Sequence, residues 1–341
     1  MPTRVRSFSK INLGLRVGPP QPGTGFHALT TCYQTLEAHD FLTVTARRAE
    51  KNHITLTADH PGVPRTETGD AEKNTAYRMV EGALQLLGVG AEVEIALEKR
   101  MPVQGGLGAG SANAAAALIA LEHELGERLS WNQRLALGAE IGSDVPLFLV
   151  GGTSLGLNRG EEVYPLPDLP ETACVLAIPS VGVSTAQAFR DLDERMAAEA
   201  AKPLTKNPPV DKLKELSHAL AGALACPALV ESGLSGIGRN AADLAENPLL
   251  TLVRTGIEND FEEVAFSQHP SLRSIKRDLL GSGSEAAIFA GLSGSGSALF
   301  GLYANQAAAL QAQQRVQANG TRALVTKTLA RTAYWHTMFA E

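Results

Sequence analysis

A chain of 341 residues suggests about two domains at roughly 150 residues each. Its 44% apolar and 19% charged residues exclude a disordered chain. Thirty Lys and Arg against 36 Asp and Glu leave a net charge of −6. That argues against a nucleic-acid binder and leaves a small anionic ligand open, because a local backbone site holds phosphate whatever the global charge. Cys32, Cys174 and Cys226 are far apart and form no CxxC pair, which fits a reducing compartment. No apolar segment follows the basic first ten residues, so no signal peptide is expected. Gln104, Ser111 and Asn113 interrupt Pro102–Leu121, so no membrane span is expected there. A soluble, cytoplasmic chain follows.

Val5, Phe8, Ile11, Leu13, Leu15 and Val17 nearly alternate and predict an opening strand, with a loop over Pro19–Gly25. Strands are expected at Thr30–Leu36, Phe41–Ala46 and His53–Ala58, then a loop over His60–Asp70. Helical spacing covers Lys73–Leu87, closed by Gly88, and a half-buried strand covers Val93–Leu97. Helices follow at Ser111–Leu125 and Trp131–Gly142, the second with Ser130 as N-cap. A return to strand and loop near Gly151–Gly152 and Glu161–Glu162 suggests a boundary within Gly152–Asp168, dividing the chain into 1–160 and 161–341. Cys174–Pro179, Ala286–Leu292, Ala298–Tyr303 and Thr321–Leu329 read as strands. Ala186–Ala201, Val210–Leu224, Leu249–Phe266, Leu272–Leu280 and Ala304–Ala318 read as helices. Strands mixed with helices without strict βαβ alternation indicate an α+β fold.

The densest signal is the run from Pro102 to Asn113, between a strand and a helix. It holds Gly105, Gly106, Gly108 and Gly110 within six residues, interleaved with Leu107 and Ala109 and followed by Ser111 and Ala112. Glycines let successive N–H groups converge, and the helix adds free N–H groups and the positive end of its dipole. The site suits a phosphate chain. It is neither a P-loop nor a dinucleotide fingerprint, because GxxxxGK[ST] is absent and the third glycine of GxGxxG falls on Ser111 or Asn113.

Three segments, in order, resemble the motifs of the GHMP small-molecule kinases: Ser9-Lys-Ile-Asn-Leu13, Pro102–Ala115, and Leu292-Ser-Gly-Ser-Gly-Ser-Ala-Leu-Phe300. Gly25-Phe-His-Ala-Leu29, Asn74, Gly142-Ser-Asp-Val-Pro-Leu-Phe148, Val183-Ser-Thr-Ala-Gln-Ala-Phe189 and Glu258-Asn-Asp-Phe-Glu262 resemble segments of the branch whose substrate carries a cytidine diphosphate. Residues 190–245 resemble nothing specific. The resemblance implies a two-domain α+β fold with the site in the cleft between the domains. It implies ATP-dependent phosphorylation of the 2-hydroxyl of a diphosphocytidyl methylerythritol in isoprenoid precursor synthesis. A homoserine- or mevalonate-type kinase, or a non-catalytic ligand sensor on the same fold, remains an alternative. Ala109 and Ala112 stand where the family often has glycine and serine, Phe26 where it has tyrosine, and Ala28 where it has glutamate.

Phosphoryl transfer needs an in-line hydroxyl, an orienting charge or proton acceptor, and donors for the equatorial oxygens. Asp144, sheltered by Val145–Phe148, is the base candidate, where the resemblance also places the family's catalytic aspartate. Lys10, flanked by Phe8, Ile11 and Leu13, enters a buried region and requires a partner, for which Asp144 is the natural choice. Asn12 shares its face and is a substrate contact. A neutral imidazole suits a cytosine edge, which makes His27 a candidate. Phe26 and Phe189 can stack on the base, although Phe189 also fits core packing; Thr185 belongs to the same substrate set. Ser293, Gly294, Ser295 and Gly296 are expected to support the site, or equally to form a tight hairpin. Asn74 reads as an N-cap that the resemblance places beside adenine. Lys99 reads as a nucleotide contact or a solvated charge. Magnesium is expected only as carried by ATP. No histidine has ligand spacing with a cysteine or acid, so no protein metal site is expected. A small molecule is the expected partner, with no nucleic acid or membrane, for a monomer or homodimer.

Overall fold

The computed structural model describes residues 2–21, 23, 25–200, 212–224, 249, 252, 253 and 257–340. Its first part comprises β1 (Thr3–Pro20), β2 (His27–Arg48), β3 (His53–Ala58), α1 (Thr75–Leu87), β4 (Ala91–Glu98), α2 (Ala109–Leu125), α3 (Trp131–Ile141), α4 (Val145–Val150), β5 (Thr153–Asn158) and β6 (Glu162–Pro165). There follow β7 (Ala173–Ile178), α5 (Thr185–Ala200), α6 (Lys212–Leu224), α7 (Phe261–Gln268), α8 (Ser271–Leu280), β8 (Phe289–Leu292) and β9 (Leu299–Tyr303). The chain closes with α9 (Gln306–Ala318), β10 (Arg322–Lys327), α10 (Arg331–His336) and β11 (Phe339–Ala340).

One sheet runs β11–β1–β2–β4–β3, with β5 on a second stretch of β2 and β6 on β5; the other runs β10–β7–β9–β8. Among the described strands, all pairings are antiparallel except β3 with β4. This is the expected α+β architecture. The last strand, β11, returns to the first sheet by pairing with β1.

The hairpin of β1 and β2 ties the molecule together. Val5 and Phe8 lie in the core over α1 and α2, Ile11 and Leu13 in a central cluster, and Leu15 and Val17 in the core of the second sheet. The register shifts between Phe8 and Lys10 and again between Asn12 and Gly14. Such irregularities re-aim side chains. Here they break the apolar phase and leave Lys10 and Asn12 facing a cleft.

Two expected elements differ. The strands expected at Thr30–Leu36 and Phe41–Ala46 are one strand, because the polar residues between them are taken up at the register shift opposite Phe8 and Lys10. The loop expected from Pro19 begins later, since Pro20 still pairs with His27. The apolar run after Asp144 forms α4, with Pro146 in its first turn. The helices expected at Val210–Leu224 and Leu249–Phe266 lie partly outside the described residues.

Candidate active site

The phosphate-loop geometry follows from its glycines. Gly105, Gly106 and Gly108 have φ of 138°, 80° and 69°, values that L-residues with side chains rarely adopt. A Cβ on Gly106 would collide with Ser293 O and lie 2.9 Å from Ser293 C; one on Gly108 would lie 2.8 Å from the Phe148 ring and 3.0 Å from Lys10 Cγ. The loop is thus packed against the second glycine turn and the base of Lys10. Ser293 Oγ donates to Gly106 O at 2.8 Å, Ala298 N to Gly105 O at 3.1 Å, and Lys10 N to Leu107 O at 3.0 Å. Asn259 Nδ2 fixes the second turn by donating to Leu292 O (2.9 Å) and Gly294 O (2.8 Å).

Gly108 caps α2 without a side-chain hydrogen bond, so the first-turn N–H groups over Ala109, Gly110 and Ser111 keep their donor capacity for an anion. Leu107, Ala109 and Ala112 are buried. The methyl of Ala112 therefore fills core. Pro102 is half-buried.

Above the loop, a cleft of ≈ 750 Å³ is bounded by Lys10, Asn12, Tyr33, Gly105, Gly106, Asp144, Arg159, Thr185, Phe189, Phe261 and Gly294–Gly296, among others. Lys10 is only 2% exposed. Its Nζ lies 3.3 Å from Asp144 Oδ2 and donates to Asn12 Oδ1 at 2.6 Å. Asn12 Nδ2 donates to Thr31 Oγ1 at 2.7 Å, and that hydroxyl to Gly14 O at 2.8 Å. Asn12 thus aims the ammonium. Tyr33 OH donates to the other carboxylate oxygen, Asp144 Oδ1, at 2.9 Å. Burial first, and the carboxylate second, push the Tyr33 phenol well above its ordinary value. Thr185 Oγ1 lies 2.9 Å from Ser295 Oγ, which links the second glycine turn to α5.

The aromatic wall is Phe189, with the His27 ring stacked on it at 4.9 Å and Phe261 edge-on at 4.9 Å. His27 is buried behind that wall. Its Nδ1 faces Gly18 O at 2.9 Å and its Nε2 lies 3.5 Å from Asp193 Oδ2. Phe26 is 55% exposed and lies under the Arg159 guanidinium, 5.2 Å from its ring centroid.

Two expected nucleotide contacts have structural duties. Asn74 caps α1, accepting from Ala76 N at 2.9 Å and donating to Pro64 O at 3.0 Å. Lys99 Nζ is buried against Asp40 Oδ2, while Asp40 Oδ1 accepts from Arg100 N and Met101 N, each at 2.7 Å. This carboxylate holds the strand end from which the phosphate loop departs. Sequence reasoning passed over Tyr33, Asp40, Arg159 and Phe261. For Tyr33 the signal is its place opposite Asn12, which appears only with the register. Among the described residues, no group of three or more His, Cys, Asp or Glu is placed to hold a metal ion.

Comparison with known proteins bears on this geometry. The GHMP kinases N terminal domain matches residues 74–152, and the GHMP kinases C terminal domain matches residues 225–322. The 4-diphosphocytidyl-2-C-methyl-D-erythritol kinase of Solibacter usitatus is 38% identical over 90% of this chain and 83% of its own length. The chain belongs to the GHMP kinases. The like-named kinase of Moorella thermoacetica is 33% identical over 95% of this chain and 98% of its own. A solved 4-(cytidine 5'-diphospho)-2C-methyl-D-erythritol kinase superposes with a TM-score of 0.66 at 26% identity, over 95% of this chain and 98% of that one. The homoserine kinase of Cytophaga hutchinsonii shares the fold, with a TM-score of 0.64 at 22% identity over 96% and 95%. This GHMP kinase is accordingly a small-molecule phosphotransferase. No described helix is long and apolar enough to cross a membrane.

Proposed function

We infer that this GHMP kinase transfers the γ-phosphoryl of ATP to the 2-hydroxyl of 4-diphosphocytidyl-2-C-methyl-D-erythritol, the compound after which its relatives are named, for isoprenoid precursor synthesis. The observation that carries the reading is the Lys10–Asp144 pair, 3.3 Å apart, facing a cleft floored by two interlocked glycine turns. The N–H groups of Gly106–Ser111 receive the triphosphate. Asp144 takes or orients the proton of the acceptor hydroxyl. Lys10 pairs with that carboxylate and offers its ammonium to the transferring phosphoryl. Phe189 offers a face for the cytosine, and Thr185 a hydroxyl for the substrate. His27 backs Phe189, and Arg159, which lines the cleft, lies over Phe26. Asn74 and Lys99 bear on the nucleotide by holding the segments beside it. A magnesium ion would be held by the ATP phosphates and water, as its hard-oxygen preference allows. In this reading the chain works in the cytoplasm, as a monomer or homodimer, with residues 1–160 supplying the phosphate loop and 161–341 the second glycine turn.

The test is a coupled ADP-release assay with the cytidyl substrate, homoserine, mevalonate and galactose. Turnover of the cytidyl substrate alone is expected. Turnover of only one of the others would overturn the substrate and keep the family. Binding without ADP release would favour a sensor.

A further inference from the structure

We propose that Tyr33 is a positioning residue of the phosphoryl-transfer site, its hydroxyl fixing the Asp144 carboxylate through Oδ1 while Oδ2 serves Lys10 and the substrate. The proposal rests on the phosphotransfer reading of the cleft, and its test separates the two.

The geometry divides the carboxylate's work. Tyr33 OH donates to Oδ1 at 2.9 Å, and Lys10 Nζ lies 3.3 Å from Oδ2. A hydrogen bond on one oxygen and a cation beside the other fix both the position and the rotation of a planar group, which a single partner would leave free to turn. The phenol is built in rather than incidental. Its ring is almost completely buried, and a Cβ on Gly156 would lie 2.5 Å from the ring's Cε2. A Cβ on Gly160 would lie 2.5 Å from the hydroxyl itself. Two glycines in β5 and the turn after it therefore leave room for this ring. The raised phenol keeps its proton, so it remains a donor across the working range.

The charged and titratable groups around this pair come from several elements. Lys10 approaches from β1 and lies 5.6 Å from the Tyr33 ring centroid. Arg159 and Glu161 come from the turn between β5 and β6; Glu161 adds to the upward push on the phenol, and Arg159 is paired with it at 3.2 Å. Without the hydroxyl, Oδ1 loses its donor and the carboxylate rotates more freely.

The test compares wild type with Tyr33→Phe, which keeps the ring. Loss of one hydrogen bond to a charged group predicts a fall in kcat of about 10- to 100-fold. KM for ATP is expected to change less than about twofold. KM for the acceptor is expected to change far less than kcat, because the carboxylate is aimed at the reacting hydroxyl. The carboxyl ¹³C signal of Asp144, recorded without substrate at one fixed pH, is expected to move as the hydrogen bond is lost. A lower melting temperature with wild-type kcat and an unmoved carboxyl signal would overturn the proposal and leave Tyr33 as packing. If wild type releases no ADP with any acceptor, the phosphotransfer reading fails, and the carboxyl signal still decides the contact.

Discussion

Replacing Gly106 with alanine tests the interlock of the two glycine turns. The backbone there has φ of 80°, and a side chain in that region costs about 1–2 kcal/mol. The new methyl would also collide with Ser293 O and lie 2.9 Å from Ser293 C and 3.4 Å from Gly296 N. These are backbone atoms, which cannot swing aside as the end of a side chain does. Relieving such overpacking typically costs about 1–3 kcal/mol. The sum is about 2–5 kcal/mol against wild type, read as a lower urea midpoint. The cheapest relief parts the turns, which breaks the Ser293–Gly106 hydrogen bond and spoils the convergence of N–H groups. ATP affinity measured by calorimetry is therefore expected to fall at least about tenfold.

Gly110→Ala is the control. It sits in the first turn of α2, and its Cβ would meet only Thr75 Oγ1, at an ordinary 3.6 Å. Alanine is preferred to glycine within helices by about 0.5–1 kcal/mol, so this variant is expected to be as stable as wild type or slightly more so. The same methyl, four residues along, thus has opposite signs. A Gly106→Ala protein with wild-type urea midpoint and wild-type ATP affinity would refute the reasoning.

Asp144→Asn and Lys10→Met are each expected to lower kcat by about 10²–10⁴ while binding of the cytidyl substrate changes less than about tenfold. The double variant should lose less than the product of the two, as steady-state kinetics would show. Asp40→Ala strands the Lys99 ammonium in the interior and frees two backbone donors; a loss of about 3–5 kcal/mol is expected in chemical denaturation. Burial holds the His39 imidazole below its ordinary 6.5. The unfolded chain then binds the proton more readily, so stability is lost as pH falls through 6.5, and His39→Asn should flatten that slope in urea titrations between pH 5 and about 7.

Much of the site is visible in single residues of the sequence. Lys10 stands out as a charge in an apolar strand, and the slip from Val5 and Phe8 to Ile11 and Leu13 already records the register shift that turns it toward the cleft. Asp144 stands out because a run of six apolar residues follows it. The four close-set glycines announce tight backbone approach, and the structure shows what approaches: Ser293 at Gly106, Phe148 and Lys10 at Gly108. Partnerships across the chain are less visible. Lys99 reads alone as an available charge, yet Asp40, far away in sequence, buries it. Asn74 looks the same whether it caps a helix or meets a ligand, and only Ala76 N at 2.9 Å shows the cap. β11 is two residues long, too short for any periodicity, although it brings the chain's end back to β1.

The site has one rigid part and one adaptable part. The floor is held by backbone: Lys10 N on Leu107 O, Ala298 N on Gly105 O, and Asn259 across two carbonyls of the second turn. Lys10 stands directly on it through its own N–H, and Asp144 is held to it through the Lys10 ammonium. The wall is made of side chains: Phe189, backed by His27 and met edge-on by Phe261, and Arg159, which lies over Phe26. Rearranging those side chains changes which acceptor fits without disturbing the pair below. In the proposed reading, acceptor selectivity resides in the wall and rate in the floor. Tyr33 lines the cleft and binds the base, so it belongs with the floor, and changes there should be read in kcat and changes at Phe189 or Arg159 in acceptor KM.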